Sequence, residues 1–221
     1  MTDFAAARRM MVDGQVRTAD VTDRRLLAAF LEVPRERFVP ADKAALAYID
    51  LDVMVSEPGL PARYLVKPMV LGKLIHAAEV AEGDRVLDVG CATGYSTALL
   101  SRLATAVVGL EQDERLLLQA REALAELRSA NAKVVEAPLT RGFAADAPYD
   151  VIVLQGSVEV VPEALLAQLK DGGRLVGVFG RGPGAKAMIY RSIGGEASGR
   201  PMFDATAAPL PGFSKPPAFV F

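Results

Sequence analysis

The order of apolar and polar positions divides the chain into two unlike stretches. Residues 3–17 and 23–31 carry apolar side chains at helical spacing. The first helix is expected to end near Gly14, and Asp20 or Thr22 can cap the second, which puts Leu26, Leu27, Phe30 and Leu31 on one buried face. Pro34 stops that helix, 41–47 reads as a short third one, and two brief β-like runs, 51–55 and 64–66, flank a turn at 56–61. From Pro68 the pattern becomes regular. A helix over 68–81 leads into an apolar, β-branched run at 86–89. Then follow helix 96–103, strand 106–110, helix 115–129, strands 133–136 and 149–154, helix 162–169 and strand 174–179. Strands alternating with helices predict an α/β fold with a doubly wound, mostly parallel sheet. The run 149–154 is apolar throughout and therefore central. The tail lacks helical spacing. There 186–193, 201–207 and 218–221 read as antiparallel edge strands, with Gly182, Gly184, Gly194, Gly195 and Gly199 serving turns. The expected organisation is an N-terminal helical cap and substrate-side segment over 1–67, and a core with C-terminal edge strands over 68–221, in one compact unit.

Composition narrows the class. The chain has 221 residues, 51% of them hydrophobic and 24% charged, with a formal net charge of -2. Such a balance offers no broad cationic field for a nucleic-acid backbone. A single cysteine excludes an internal disulfide framework. No apolar run reaches membrane-spanning length, and Arg8 and Arg9 are not followed by the apolar stretch of a signal peptide. A soluble cytoplasmic protein is expected, with no nucleic-acid or membrane partner and an oligomeric state left open. The only histidine, His76, sits among apolar neighbours in helix 68–81 and reads as an ordinary helix residue. No metal site is expected.

Chemistry concentrates at residues 85–95. The apolar run ends at Val89, carries Asp88 inside it, and passes through a tight turn from Gly90 to Gly94 into a helix. Strand, glycine turn and helix form the front half of a nucleotide-binding βαβ unit. The next apolar run ends at Glu111, an acidic residue placed to accept from ribose hydroxyls. A nicotinamide dinucleotide needs a third glycine where this chain has Tyr95. S-adenosylmethionine brings a sulfonium and an ammonium, which a carboxylate such as Asp88 favours. The turn thus favours S-adenosylmethionine over a dinucleotide, while Asp88 as a mere turn cap stands as the bland alternative. Cys91 opens toward a helix N-terminus, which can lower a thiol pKa; a small residue filling the loop is the simpler reading.

The order of parts resembles the protein-L-isoaspartate O-methyltransferases over most of the chain. The motif Val86-Leu-Asp-Val-Gly-Cys-Ala-Thr-Gly-Tyr95 is followed by Glu111, and Ala137, Gly142, Phe143, Ala147, Pro148, Tyr149, Asp150 and Ile152 match the family's signature. Pro162, Gln168, Leu169, Gly172, Gly173 and Val176 continue the match, and upstream 33–39 and 47–50 look like the family's N-terminal segment. The resemblance implies a Rossmann-like methyltransferase and a peptide or protein substrate carrying a carboxylate. It also implies S-adenosylmethionine held by Asp88, Gly90, Cys91, Ala92, Gly94, Tyr95, Glu111, Gln112 and Leu139. Two departures stand out. The family's Asp-Gly, whose Asp accepts from the adenine amino group, is Pro138-Leu139 here, and proline offers neither acceptor nor N–H. The family's Thr-Ile-Ser-x-Pro is Tyr64-Leu-Val-Lys-Pro68, so Val66 stands at the serine that lies at the substrate carboxylate. A carboxylate acceptor is already ionised at neutral pH and needs no general base. Arg63, Tyr64 and Lys67 are the candidates to position it, with a solvated surface pair as the alternative for Arg63 and Lys67.

Overall fold

A computed structural model describes residues 3–216. Helix α1 (Phe4–Met11) is capped by the Asp3 side chain, which accepts from the Ala6 N–H. It does not end at Gly14: the backbone widens into a π turn over Val12–Val16 and tightens to a 3-10 turn at Arg17–Ala19. Helix α2 (Arg24–Glu32) starts at Asp23, whose carboxylate accepts from the N–H groups of Arg25 and Leu26. Leu26, Leu27 and Phe30 are buried as expected, but Ala29 takes the place expected for Leu31, which is 38% exposed. The two β-like runs shrink to a minimal antiparallel hairpin, β1 (Val53–Met54) with β2 (Tyr64–Leu65). Helix α3 (Pro68–Ala78) has proline in its first turn and stops short of residue 81, because Glu79 turns left-handed at φ 50°.

The core strands are β3 (Arg85–Val89), β4 (Ala106–Glu111), β5 (Ala132–Glu136), β6 (Tyr149–Val158) and β7 (Leu169–Phe179), followed by β8 (Lys186–Ile193) and β9 (Glu196–Asp204). They form one seven-stranded sheet ordered β5-β4-β3-β6-β7-β8-β9. The first five are parallel and the last two antiparallel, which is the mixed, mostly parallel sheet expected from the pattern. Helices α4 (Tyr95–Leu100) and α5 (Glu114–Glu126) make the crossovers from β3 to β4 and from β4 to β5. The helix expected over 162–169 is a single turn, α6 (Glu163–Leu166), and Leu169 already pairs with Tyr149 in the sheet. The turn between β8 and β9 takes only Gly194 and Gly195, both at positive φ. Gly199 lies inside β9, opposite Tyr190, where a Cβ would come within 2.5 Å of the Tyr190 ring. The edge strand expected at 218–221 lies outside the described residues.

Period-two alternation splits the apolar side chains between the two faces. Val86, Val107, Val151 and Val176 face α3, α4, α5 and the N-terminal helices, forming the larger core. Leu87, Val89, Leu110, Ile152 and Leu154 face the other way. Among the described residues that second face carries α6, short turns, and a segment running past the end of β9, whose Leu210 and Phe213 are each 2% exposed. Burial of two such side chains contributes on the order of 1.5–3 kcal/mol apiece. The chain reverses direction across the sheet between β3 and β6, so their C-terminal ends flank the crevice where open α/β sheets bind ligands.

Candidate cofactor crevice

Asp88 and Glu111 stand at the head of this crevice, near the ends of β3 and β4, and both are 0% exposed. Asp88 is held by three neutral donors. Ser96 Oγ and Thr97 Oγ1 donate to its Oδ2 at 2.7 and 2.6 Å, and Gln155 Nε2 donates to Oδ1 at 2.7 Å. Burial outweighs these bonds and pushes its carboxyl pKa up to about 6. Glu111 is saturated by a cation and by backbone. The Arg63 guanidinium grips both carboxylate oxygens, with Nη2 at 2.8 Å from Oε2. The N–H of Ala92 donates to Oε2 at 2.9 Å, and those of Gln112 and Asp113 to Oε1 at 2.8 and 3.1 Å. A carboxylate offers about four lone-pair sites, and these five donors fill them.

Arg63 is therefore not a solvated surface group. It is 4% exposed and reaches the strand tips from the position just before β2, where its Nη2 also donates to the Gly90 carbonyl at 3.0 Å. Gly90 is held at φ 78° by its own N–H donating to Leu110 O, a conformation that favours glycine. A Cβ at Gly90 would meet Leu210 Cδ2 at 2.6 Å and Arg63 Nη2 at 3.2 Å. Leu139, expected on the adenine side, is fully buried, and its N–H donates weakly to Gln112 Oε1 at 3.4 Å.

Other expected site residues point elsewhere. Tyr95 packs into the cap, 4.6 Å beneath the Arg35 guanidinium and edge-on to Phe38 at 5.5 Å. Gly94 lets α4 approach α5, since a Cβ would meet Ala120 at 3.0 Å. Burial pushes the Cys91 thiol well above its usual range, so the helix terminus does not activate it. Lys67 turns outward, where its ammonium donates to Thr206 Oγ1 at 3.1 Å. Tyr64 is half-buried at the crevice wall, and the Val66 side chain is buried with no donor to offer.

Three residues escaped the reading of the sequence. Arg35, 0% exposed, donates to Val66 O at 3.0 Å and Ala47 O at 2.8 Å and so fixes the segment before α3. Gln155 is the first polar residue after the apolar run 149–154, a signal for its role on Asp88. Asp52 accepts from Lys67 N and Ala208 N, tying the segment before α3 to the chain beyond β9.

The crevice has little room. Two voids of about 10 Å³ each remain, one beside Asp52, Arg63 and Leu210 and the other beside Gly90, Tyr95 and Gln155. Small-molecule sites occupy roughly 300–1,000 Å³. In this arrangement the residues do not fit S-adenosylmethionine: Glu111, the residue expected to take its ribose, is engaged by Arg63, and the expected turn at Gly90 is covered by Leu210. A larger cavity, about 620 Å³, lies elsewhere, between Phe38, Met54, Thr93 and α5. Its Arg37 and Glu57 are engaged in ion pairs with Glu126 and Arg115.

Sheet order, glycine turn and paired acidic strand tips define a Rossmann-like methyltransferase. The chain belongs to the protein-L-isoaspartate(D-aspartate) O-methyltransferase family, which it matches over residues 7–195. That is a family of S-adenosylmethionine-dependent enzymes. A protein-L-isoaspartate O-methyltransferase of Koribacter versatilis is 34% identical over 212 residues, covering 96% of this chain and 94% of the relative. One of Methanoculleus marisnigri is 35% identical over 173 residues, 78% of this chain and 77% of the relative. Among solved structures, a protein-L-isoaspartate O-methyltransferase superposes with a TM-score of 0.80 at 24% identity, covering 93% of this chain and 66% of that one. A Plasmodium falciparum homologue in complex with S-adenosyl-L-homocysteine superposes at 0.74 and 18% identity, covering 94% and 98%.

Proposed function

We propose that this protein is an S-adenosylmethionine-dependent O-methyltransferase that methylates a carboxylate of a peptide or protein, with isoaspartyl residues as the acceptor, in a cytoplasmic repair role. The observation that carries the reading is the family match over 7–195, which brings with it a glycine turn and two buried acidic residues at adjacent strand tips. With the crevice opened, Glu111 and the Gly90 turn are the groups that would face the cofactor, and Arg63 and Tyr64 the groups nearest an acceptor. Among the described residues no helix is long and apolar enough to cross a membrane.

Val66 favours a second reading, methyl transfer to a different acceptor, because the buried side chain at the family's serine position donates no hydrogen bond. Methyl-labelled S-adenosylmethionine incubated with matched isoaspartyl and aspartyl peptides separates the two. The first reading expects base-labile label on the isoaspartyl peptide alone. Label on neither peptide, from enzyme that methylates proteins of a lysate, supports the second.

A further inference from the structure

We infer that the cofactor crevice is occupied by the protein itself: Arg63 stands in for the ribose and Leu210 for the methionine chain, so that ligand must displace both to enter. The inference rests on the methyltransferase reading above for the identity of the ligand and on the geometry for everything else. A ribose presents two adjacent O–H donors to a carboxylate; Arg63 presents two N–H donors in that same fork, one to each oxygen of Glu111. The same guanidinium reaches the Gly90 carbonyl. The face of Gly90 that backbone-recognising ligands need is covered by Leu210 Cδ2. The covering is built in. Gly156 on β6 admits it, for a Cβ there would come within 2.7 Å of Ala208 O and 2.8 Å of Leu210 Cγ.

The segment is fastened as a strap. Ser157 N–H donates to Ala208 O and Leu210 N–H to Ser157 O, each at 2.8 Å, and Glu159 N–H donates to Phe213 O at 2.9 Å. Asp52 Oδ2 accepts from Ala208 N at 3.1 Å, and Lys67 donates to Thr206. Strap and arginine are therefore coupled. Asp52 lies between the β1–β2 hairpin, which delivers Arg63, and the strap, which delivers Leu210. A ligand that binds only the open state has its apparent affinity reduced by the fraction of molecules that are open. Substitutions that empty the crevice should remove that reduction.

The test is calorimetric titration of S-adenosylhomocysteine into the full chain, its Arg63→Ala and Leu210→Gly variants and the double variant, each checked for fold by circular dichroism. Each single variant is expected to bind at least tenfold tighter than wild type, and the double variant tighter again. Should Arg63→Ala fail to fold, Leu210→Gly carries the test, since it uncovers no buried charge. Equal or weaker binding by the folded variants overturns the inference, as does the absence of binding by all of them. Failure of the functional reading looks different: variants that bind S-adenosylhomocysteine tightly yet transfer no methyl group to any acceptor leave the occupied crevice standing and remove the methyltransferase.

Discussion

Two arginine–carboxylate pairs sit at opposite ends of the same parallel sheet. At the foot, Arg174 at the start of the regular part of β7 meets Asp84 just before β3, at 2.7 Å. At the head, Arg63 meets Glu111 at the end of β4. The foot pair is a fastener: Arg174 also donates to the carbonyls of Ala78 and Glu79 and so ties the end of α3 to the strands. The pair keeps some solvent, with both side chains 12% exposed. The head pair is drier, at 4% and 0%, and its Glu111 also accepts from the N–H groups of Ala92, Gln112 and Asp113. Through the Gly90 carbonyl Arg63 also joins the ends of β3 and β4, beside the crevice that an open α/β sheet leaves for a ligand. Similar chemistry thus serves cohesion at one end and occupancy at the other. Ligand response is what tells them apart.

The largest expected effect is on stability. Breaking a buried pair from one side costs about 3–5 kcal/mol, because the other charge is left unpaired. Arg63→Ala and Arg174→Ala should both lower the unfolding free energy by about 3 kcal/mol, read from urea melts, the foot value sitting at the low end of that range because its pair is part-exposed. Added S-adenosylhomocysteine stabilises every variant that binds it, and at one saturating concentration it should add about 1.4 kcal/mol more to Arg63→Ala than to Arg174→Ala, the equivalent of tenfold tighter binding. An equal gain in both variants erases the distinction between the ends.

A third carboxylate sharpens the contrast. Asp88 is buried like Glu111 but has only neutral partners, and burial raises its pKa from 3.8 to about 6. The folded state then holds its proton more tightly than the unfolded state, so wild type gains stability as pH falls from above 6 toward 3.8. Asp88→Asn should raise stability at pH 7 by about 2 kcal/mol, at about 1.4 kcal/mol per pKa unit less some hydrogen-bond geometry. The advantage should vanish near pH 4, in thermal melts across that range. A destabilised Asp88→Asn at neutral pH would mean that the charge itself is held by something other than Ser96, Thr97 and Gln155.

The smallest effect lies two strands out from the foot, since Gly199 pairs with Tyr190 and Tyr190 with Leu175. A methyl at Gly199 would press on the Tyr190 ring at the sheet edge, whose aromatic neighbour Phe179 lies 5.1 Å away. Gly199→Ala should cost about 1 kcal/mol of stability through overpacking and leave ligand affinity unchanged. A change in affinity would show that the edge strands communicate with the crevice.

The sheet was legible because parallel strands buried on both faces write themselves as continuous apolar runs, and β3, β4 and β6 do. The glycine turn and the acidic tips were legible for the same local reason: strand, turn and helix are contiguous in the chain. The closure was not. Arg63 finds Glu111 across 48 residues of sequence, through a hairpin too short to have a periodicity of its own. Leu210 and Phe213 stand out as apolar residues in a proline- and glycine-rich stretch, yet only the thin cover on the second sheet face explains where they go. Gly156 carried a signal that follows an apolar run without any turn chemistry, and its meaning is the strap that passes over it. Leu31 failed as a core residue because helical spacing fixes a face only within about a residue, and Ala29 took the inner position.

Amide hydrogen exchange at Ser157 and Leu210 tests the self-occupied crevice most directly, since their N–H groups hold the strap to β6. In the free protein both should be protected. Saturating S-adenosylhomocysteine should speed their exchange by tenfold or more, while the central strand β3 stays protected. Ligand that binds at saturation with both amides as protected as before would contradict the account.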